Sequence, residues 1–453
     1  MGGYKSYHEY KSTDLPWVPE IPAGWHVRKL THAISYQVGF TPESGNAEYY
    51  GDDYLWANIS DLGPKVLANT SKGITEEAIV KYKKRPAKKG SLLYSFKLSV
   101  GQVSFAGQDM FTNEAIASFG GSEHVDLSYF YFLAPIAIIQ NASENIYGAK
   151  ILNQEAIGAA KILVPPMEEQ RKIAEFLDYK TAQVDALIAK KQSLLDKLAE
   201  QRTALISQAV TKGLDPSVPM KDSGVDWLGK IPKYWHVSKL GYVAKSLQTG
   251  PFGSQLHADE YVEDGTPLIN PSDISKGKIT GNPTITVEDA VVARLSRHKL
   301  ELGDIVIARR GEMGRAGLVG KGNVGWLCGT GSLRARLKKE VINPEFLLYQ
   351  FSMRGVSEYL SLQSVGSTMD NLNTSILGRL WVVVPPLQEQ NDIISEIQKV
   401  SSRIEKMRSS VTSAISKLQE YRSALITNAV TGKIDVRDFC IPTTTEQREV
   451  AHG

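Results

Sequence analysis

Cysteine is nearly absent. Two in 453 residues, Cys328 and Cys440, lie more than a hundred positions apart and supply neither a disulfide framework nor a metal-ligand cluster. They read as ordinary cysteines of a reducing cytoplasm. Long apolar runs are missing too: the most apolar stretch, Phe130 to Ile139, is short and broken by Pro135, too little to span a bilayer. Met1-Gly2-Gly3-Tyr4 lacks the basic-then-apolar pattern of a signal peptide, so cytoplasm is the expected location. Charge of one sign is scarce, since 52 basic against 49 acidic residues leave a formal net charge of +3. A nucleic-acid partner would therefore have to meet positive charge gathered locally.

Catalytic signatures are absent as well. No G-x-x-x-x-G-K-[ST] phosphate loop occurs, which argues against ATP hydrolysis by this chain. Pro-Asp occurs nowhere, which disfavours a common nuclease carboxylate signature. Asn343-Pro344-Glu345-Phe346 lacks the second proline of an amino-methyltransferase motif and reads as a helix N-cap. Gly250-Pro251-Phe252-Gly253-Ser254 is too short and proline-broken for a cofactor loop. His26 and His236 recur without a nucleophile or second ligand, and read as structural histidines beside packed tryptophans.

What is present is a repeat. The length calls for at least two domains, and a composition 42% hydrophobic and 22% charged is that of a globular protein. Ile21-Pro22-Ala23-Gly24-Trp25-His26-Val27-Arg28-Lys29-Leu30 returns as Ile231-Pro232-Lys233-Tyr234-Trp235-His236-Val237-Ser238-Lys239-Leu240, and Trp17 returns as Trp227. Val164-Pro165-Pro166-Met167-Glu168-Glu169-Gln170 returns as Val384-Pro385-Pro386-Leu387-Gln388-Glu389-Gln390. Lys197 to Ile206 returns as Lys417 to Ile426, and Ala209-Val210-Thr211 as Ala429-Val430-Thr431. This second block holds a constant offset, as one uninterrupted rigid element would. Between the blocks identity falls away and the offset drifts, although Asn58-Ile59-Ser60-Asp61-Leu62 still aligns with Asn270-Pro271-Ser272-Asp273-Ile274. Two near-identical frames thus carry two divergent inserts. The expected boundaries are 1–163 and 216–383 for the inserts with their framing motifs, 164–215 and 384–435 for the repeated block, and a tail at 436–453.

The block after each Pro-Pro predicts a long helix. Prolines suit a first turn, and Glu168 and Glu169 favour the positive end of the helix dipole. No Pro or Gly follows until Gly213 in one copy and Gly432 in the other. Some 45 residues at 1.5 Å each give about 68 Å. Leu177, Val184, Leu198 and Leu205 recur at heptad spacing, interrupted by Lys191, beside Ile188, Leu195 and Ala209. In the second copy Ile397, Ile404, Val411, Leu418 and Leu425 run beside Ile415 and Ala429. So narrow a stripe predicts a coiled-coil seam between the two helices. Heptads alone leave parallel and antiparallel open; a pseudo-twofold relation between repeats would make the helices antiparallel and put the inserts at opposite ends. Arg202 and Arg422 fall in the seam at equivalent places. Either their stems pack while their heads reach water or a carboxylate, or they fix register.

Residues 11–163 and 221–383 read as mixed α+β. Strands are predicted at Ser91–Tyr94, Gly303–Ala308, Leu163 and Trp381–Val384, and helices at Asp126–Leu133 and Pro344–Met353. Basic residues punctuate the inserts. Lys81, Lys83, Lys84, Arg85, Lys88 and Lys89 crowd around Tyr82. Arg309, Arg310 and Arg315 sit on a Gly-containing turn after a strand, and the first insert has Tyr94 to Gly101, with Lys97, at the matching place. Loops carrying Arg, Lys, Asn and Ser are what phosphate contact and base-edge readout require. The candidate DNA-contact residues are therefore Lys83, Lys84, Arg85, Lys97, Asn58 and Ser60 in the first insert, and Arg309, Arg310, Arg315, Asn270 and Ser272 in the second. An enzyme acting alone would need the motifs that are missing; a plain coiled-coil scaffold would leave the divergent inserts without a reason.

The combination resembles the specificity subunit of type I restriction–modification systems. The Ile-Pro-x-x-Trp motifs at Ile21–Trp25 and Ile231–Trp235 are similar to the start of each target-recognition domain in that family, and the Pro-Pro-x-x-Glu-Gln helices with their Arg-x-Ala-Leu-Ile segments resemble its conserved regions. The match runs from residue 11 to about 435. The resemblance implies two α/β-type recognition domains, each followed by a long helix, with the helices paired as an antiparallel coiled coil. It implies that each insert reads half of a split site on double-stranded DNA, with the helices setting the spacer. It further implies docking of two methyltransferase subunits and, through the complex, of restriction subunits. S-adenosylmethionine, ATP and Mg²⁺ would belong to those partners, and this chain would be non-catalytic.

Overall fold

A computed structural model describes residues 4–97, 99–144, 150–364 and 372–441. Met1 to Gly3, Leu98 of the Tyr94–Gly101 segment, and all of the expected tail beyond Ile441 lie outside the described residues. The chain forms two compact units, one of residues 1–191 with 413–453, the other of residues 192–412.

In the first unit β1 (His26–Lys29) is followed by β2 (Tyr36–Val38), β3 (Tyr50–Ala57), β4 (Val66–Leu67), α1 (Glu76–Tyr82), β5 (Leu92–Ser95), β6 (Val103–Ala106), β7 (Phe111–Thr112), β8 (Ile116–Phe119), α2 (Leu127–Ala137), β9 (Lys161–Val164) and the start of α3 (Met167–Lys212). The central sheet has the order β2-β8-β5-β6-β4, and β3 pairs in parallel with β7 outside it. Alternation along β5 and β8 splits the burial. Leu92, Tyr94, Ala117 and Phe119 face a large core with α2 and the helix ends, while Leu93 and Ile116 join a smaller cluster on the other face. The α2 helix is predicted at Asp126–Leu133 but continues through Pro135 to Ala137.

The second unit repeats the plan with β10 (His236–Lys239), β11 (Ala244–Thr249), β12 (Thr266–Ile269), α4 (Asp289–Arg294), β13 (Ile305–Ala308), β14 (Ala316–Leu318), β15 (Leu327–Cys328), β16 (Ser332–Leu337), α5 (Pro344–Phe351), β17 (Trp381–Val384) and the start of α6 (Leu387–Val430). Its sheet runs β11-β16-β13-β14, and β12 pairs in parallel with β15, as β3 does with β7. Asn343 caps α5, its Oδ1 accepting from the Glu345 N–H at 2.9 Å.

The repeated motifs act as clamps. In the first unit buried Trp25 donates from Nε1 to Glu169 Oε1 at 2.9 Å, and Tyr7 donates its hydroxyl to the same carboxylate atom. In the second, Trp235 Nε1 donates to Glu389 Oε2 at 3.0 Å and Tyr234 Oη to Glu389 Oε1 at 2.9 Å. The adjoining glutamines are fully buried. Gln170 Oε1 accepts from the Asp126 N–H at 2.8 Å, and its Nε2 donates to the carbonyls of His124 and Pro165. Gln390 treats the Asn343 N–H and the carbonyls of Val341 and Pro385 alike. Glu169 and Glu389 thus fasten each tryptophan to the first turn of a long helix. The tryptophan's other side meets the far helix's end: a Cβ on Gly432 would lie 3.3 Å from Trp25, and one on Gly213 3.3 Å from Trp235. Both glycines have positive φ, +73° at Gly432 and +75° at Gly213, and close their helices in the left-handed conformation that favours glycine. His26 and His236 do follow the packed indoles, and they open strands β1 and β10 with their side chains exposed.

Each unit therefore joins the start of one long helix to the end of the other, so α3 and α6 pair antiparallel. In the first unit Ile173, Phe176 and Leu177 share a core with Leu425, Ala429 and Val430. In the second, Ile206, Ala209 and Val210 share one with Ile393, Ile394 and Ile397. Leu177, Val184, Leu198, Ile397, Ile404 and Leu425 are buried, whereas Ile188, Leu195, Leu205, Val411, Ile415 and Leu418 are half-buried. Two helices alone cover a seam on one side only. Arg422 grips Asp185 on α3 with two hydrogen bonds, of 2.8 and 3.1 Å. Arg202, its equivalent, is exposed beside Leu205, Ile397 and Ile404.

Candidate nucleic-acid interface

Asn58 and Asn270 occupy the same structural place. Each follows a strand, β3 or β12, and opens a short 3-10 turn. The backbone N–H of Asn58 donates to Asp61 Oδ2 at 2.8 Å, and that of Asn270 to Asp273 Oδ2 at 2.8 Å. Ser60 and Ser272 are exposed on these turns; Ser272 Oγ donates to Asp273 Oδ1 at 3.3 Å.

A second loop brings Lys97 near Asn58. The turn after β7 is tied to both strands: the Asn113 N–H donates to the Ala57 carbonyl at 2.9 Å, and the Phe96 N–H to the Ala115 carbonyl at 2.9 Å. Asn58 and exposed Lys97 therefore flank one turn, 113–115. The same bonds recur in the second unit, Gly329 N–H to Ile269 carbonyl at 2.9 Å and Arg309 N–H to Gly331 carbonyl at 3.0 Å, so Asn270 and Arg309 flank turn 329–331. The approach at these turns demands glycine next door. A Cβ on Gly39 would lie 1.9 Å from the Thr112 carbonyl oxygen, and one on Gly250 1.9 Å from that of Gly329. Gly250 of the Gly-Pro-Phe-Gly segment is thus a packing residue.

The three arginines of the 309–315 turn part ways. Arg309 is half-buried and donates from Nε to the Leu372 carbonyl at 3.0 Å; burial, with Arg310 beside it, lowers its guanidinium pKa from the ordinary value. Arg310 is exposed. Arg315 is half-buried, 3.9 Å from Glu312.

Lys83, Lys84 and Arg85 lie on a separate turn after α1, all exposed and with no ion pair among the described residues. Their neighbours are engaged: Lys81 donates to the Tyr49 hydroxyl at 2.8 Å and Lys88 pairs with Asp109 at 2.7 Å. The turn is held through Gln37 of edge strand β2, whose Nε2 donates to the Arg85 and Pro86 carbonyls at 3.2 Å each. Sequence reasoning did not single out Gln37, nor Arg334 on β16. The signal for Arg334 was alternation: in Leu333-Arg334-Ala335-Arg336-Leu337 apolar residues face the core and arginines take the opposite face.

Among the described residues no three His, Cys, Asp or Glu side chains converge on a metal position, and no helix is long and apolar enough to cross a membrane. What the arrangement offers is two frames of the same build presenting different polar and basic side chains, as a duplicated DNA reader would.

The family model of the type I restriction modification DNA specificity domain matches residues 22–197 and again 232–411. The chain belongs to this family: it is a specificity subunit of the type I class, a recognition component rather than an enzyme. The MjaIX specificity subunit of Methanocaldococcus jannaschii is 24% identical over 95% of this chain and 98% of its own length. The EcoBI specificity subunit of Escherichia coli is 24% identical over 68% of this chain and 65% of its own. A solved structure concerned with complex assembly and conformational transition of the type I R-M system is 15% identical, covers 91% of this chain and 99% of that one, and superposes with a TM-score of 0.68.

Proposed function

We propose that this chain reads a bipartite site on double-stranded DNA, one half by the region within residues 1–163 and the other by that within 216–383. The paired helices, within 164–215 and 384–435, set the unread spacer. The observation that carries this is sameness of frame with difference of surface. Asn58 and Asn270 open turns of the same build, yet the loop beside them carries buried Phe96 and exposed Lys97 in one unit and half-buried Arg309 and exposed Arg310 in the other. A frame kept while its outward residues diverge suits two readers of different sequences. Lys97, Lys83, Lys84, Arg85, Asn58 and Ser60 contact one half; Arg309, Arg310, Arg315, Asn270 and Ser272 the other.

Two methyltransferase subunits dock on the paired helices, where Leu187, Leu194, Met407 and Tyr421 stay exposed, and restriction subunits join through the complex in the cytoplasm. S-adenosylmethionine, ATP and Mg²⁺ belong to those partners. Mapping methylated positions in the host genome by long-read sequencing should return a split motif. Replacing residues 11–163 by another family member's insert should change one half of it only; a change in both halves, or in neither, would refute the reading.

A further inference from the structure

The basic turn after α1 has a counterpart after α4 that the repeat pattern conceals. Gly90 and Gly303 open the chain into the equivalent strands β5 and β13, and counting back from them sets Lys84 against Arg297 and Arg85 against His298. Arg297 and Lys299 are exposed, with no ion pair among the described residues, while His298 between them is buried.

Both turns are held by their carbonyls, through different chemistry. In the first unit Gln37 reaches the Arg85 and Pro86 carbonyls directly. In the second, Gln248 stands at the equivalent place on β11, and its Oε1 accepts from Arg334 Nη2 at 2.9 Å. Arg334 spans the gap, donating from Nη1 to the carbonyls of Arg297 at 2.9 Å and Lys299 at 3.1 Å. Arg336 adds a bond to the Lys299 carbonyl at 3.2 Å and is itself held by Asp304. Arg334 is 5% exposed and makes no ion pair among the described residues. A guanidinium buried among neutral acceptors is a costly way to hold a sheet together, but five donors in a rigid fork suit the fixing of a turn's backbone. With the carbonyls pinned inward, Lys299 and Arg297, whose Nε donates to His298 Nε2 at 3.1 Å, stay exposed.

We infer that turn 296–299 is a DNA-backbone contact of the second unit, with Arg297 and Lys299 binding phosphate oxygens and Arg334 acting as the positioning residue that presents them; Gln37 does the same for Lys83, Lys84 and Arg85. The inference rests on the DNA-reading function proposed above. Long basic side chains on a pinned backbone match phosphate neutralisation, which fixes register on the duplex without specifying bases.

The test uses the full chain in complex with its methyltransferase subunit and a duplex bearing the split motif mapped in the host genome. The double variant Arg297→Ala/Lys299→Ala should lose about tenfold in affinity on cognate and scrambled duplexes alike, and the slope of log K against log salt should fall by about two. An unchanged slope would remove the turn from the interface. Arg334→Lys keeps the charge but not the fork; it should weaken binding and also lower the melting temperature of the complex, since buried acceptors lose their donor, and unaltered affinity would remove Arg334 as a positioning residue. Gln37→Met supplies the same test on an exposed side chain whose loss does not threaten folding: it should weaken binding while melting is unchanged, and unaltered affinity would overturn the positioning role. Failure of the wild-type complex to bind any split duplex would instead refute the DNA-reading function itself.

Discussion

The indole N–H of Trp25 donates to the carboxylate of Glu169 across 2.9 Å, although 144 residues separate them. Trp235 and Glu389 repeat the bond at 3.0 Å. The pair joins the residue just before β1 or β10 to the first turn of the helix that leaves the unit, and each carboxylate accepts a second bond from a tyrosine, Tyr7 in one unit and Tyr234 in the other. These tyrosines come from unrelated positions in the repeat, so two donors per carboxylate are retained by different means.

Glu169→Ala should therefore destabilise the first unit by roughly 2–4 kcal/mol, because it leaves a buried indole N–H and a buried hydroxyl without their charged acceptor. Glu389→Ala should cost less, since Glu389 is half-buried and Tyr234 can turn to water. Urea unfolding of the two variants checks the order; equal losses would contradict it.

Arg309 and Arg310 are neighbours with separable consequences. Arg310→Ala removes an exposed charge and should leave stability within about 0.5 kcal/mol while lowering the salt dependence of DNA binding by about one unit of slope. Arg309→Ala also deletes the bond to the Leu372 carbonyl and should cost about 1–2 kcal/mol in stability. Melting curves and salt titrations on both variants separate the two effects.

Along the paired helices, truncation should hurt in proportion to burial. Ile404→Ala and Leu177→Ala remove side chains 2% and 0% exposed and should each cost about 2–5 kcal/mol. Leu195→Ala acts on a half-buried residue and should cost about half as much. Chemical denaturation monitored by helical circular dichroism measures this; equal losses at Leu195 and Ile404 would show a seam covered more evenly than described.

His298 gives the second unit a sensitivity to acid. Burial, reinforced by the positive charge of Arg297, pulls its pKa down to about 4, from an ordinary value near 6.5. The unfolded chain takes up the proton first, so this contribution to stability is whole above pH ~6.5, declines as pH falls, and is gone below pH ~4. His298→Gln should remove that part of the acid sensitivity, seen as a smaller loss of unfolding midpoint between pH 7 and 4.5 than in the wild-type chain. An identical fall in both would exclude the histidine.

The long helices were legible because nothing interrupts them: constant offset, apolar heptads and closing glycines all act locally. Their antiparallel sense could not be read from the heptads and came only from the pseudo-twofold relation and the family resemblance, because locally it is decided by Trp25 meeting both Glu169 and Gly432, residues remote in sequence. The strand Trp381–Val384 was plain from its composition, whereas the order β2-β8-β5-β6-β4 depends on non-local pairing that no local pattern encodes. Asn58 and Asn270 could be aligned from their motif. Gln37 and Arg334 could not be recognised as supports, because they act on main-chain carbonyls of a distant turn and those carbonyls have no sequence signature.

Gln170 and Gln390 grip the modules they anchor through an amide N–H and carbonyls alone: the N–H of Asp126 and carbonyl of His124 in one case, the N–H of Asn343 and carbonyl of Val341 in the other. A fastening of that kind is indifferent to the side chains it holds. Recombination can import a foreign recognition segment whole, and the socket will accept it provided its backbone passes through the same few points. New specificities can then arise by exchange rather than by gradual change, without the anchoring glutamines having to co-evolve.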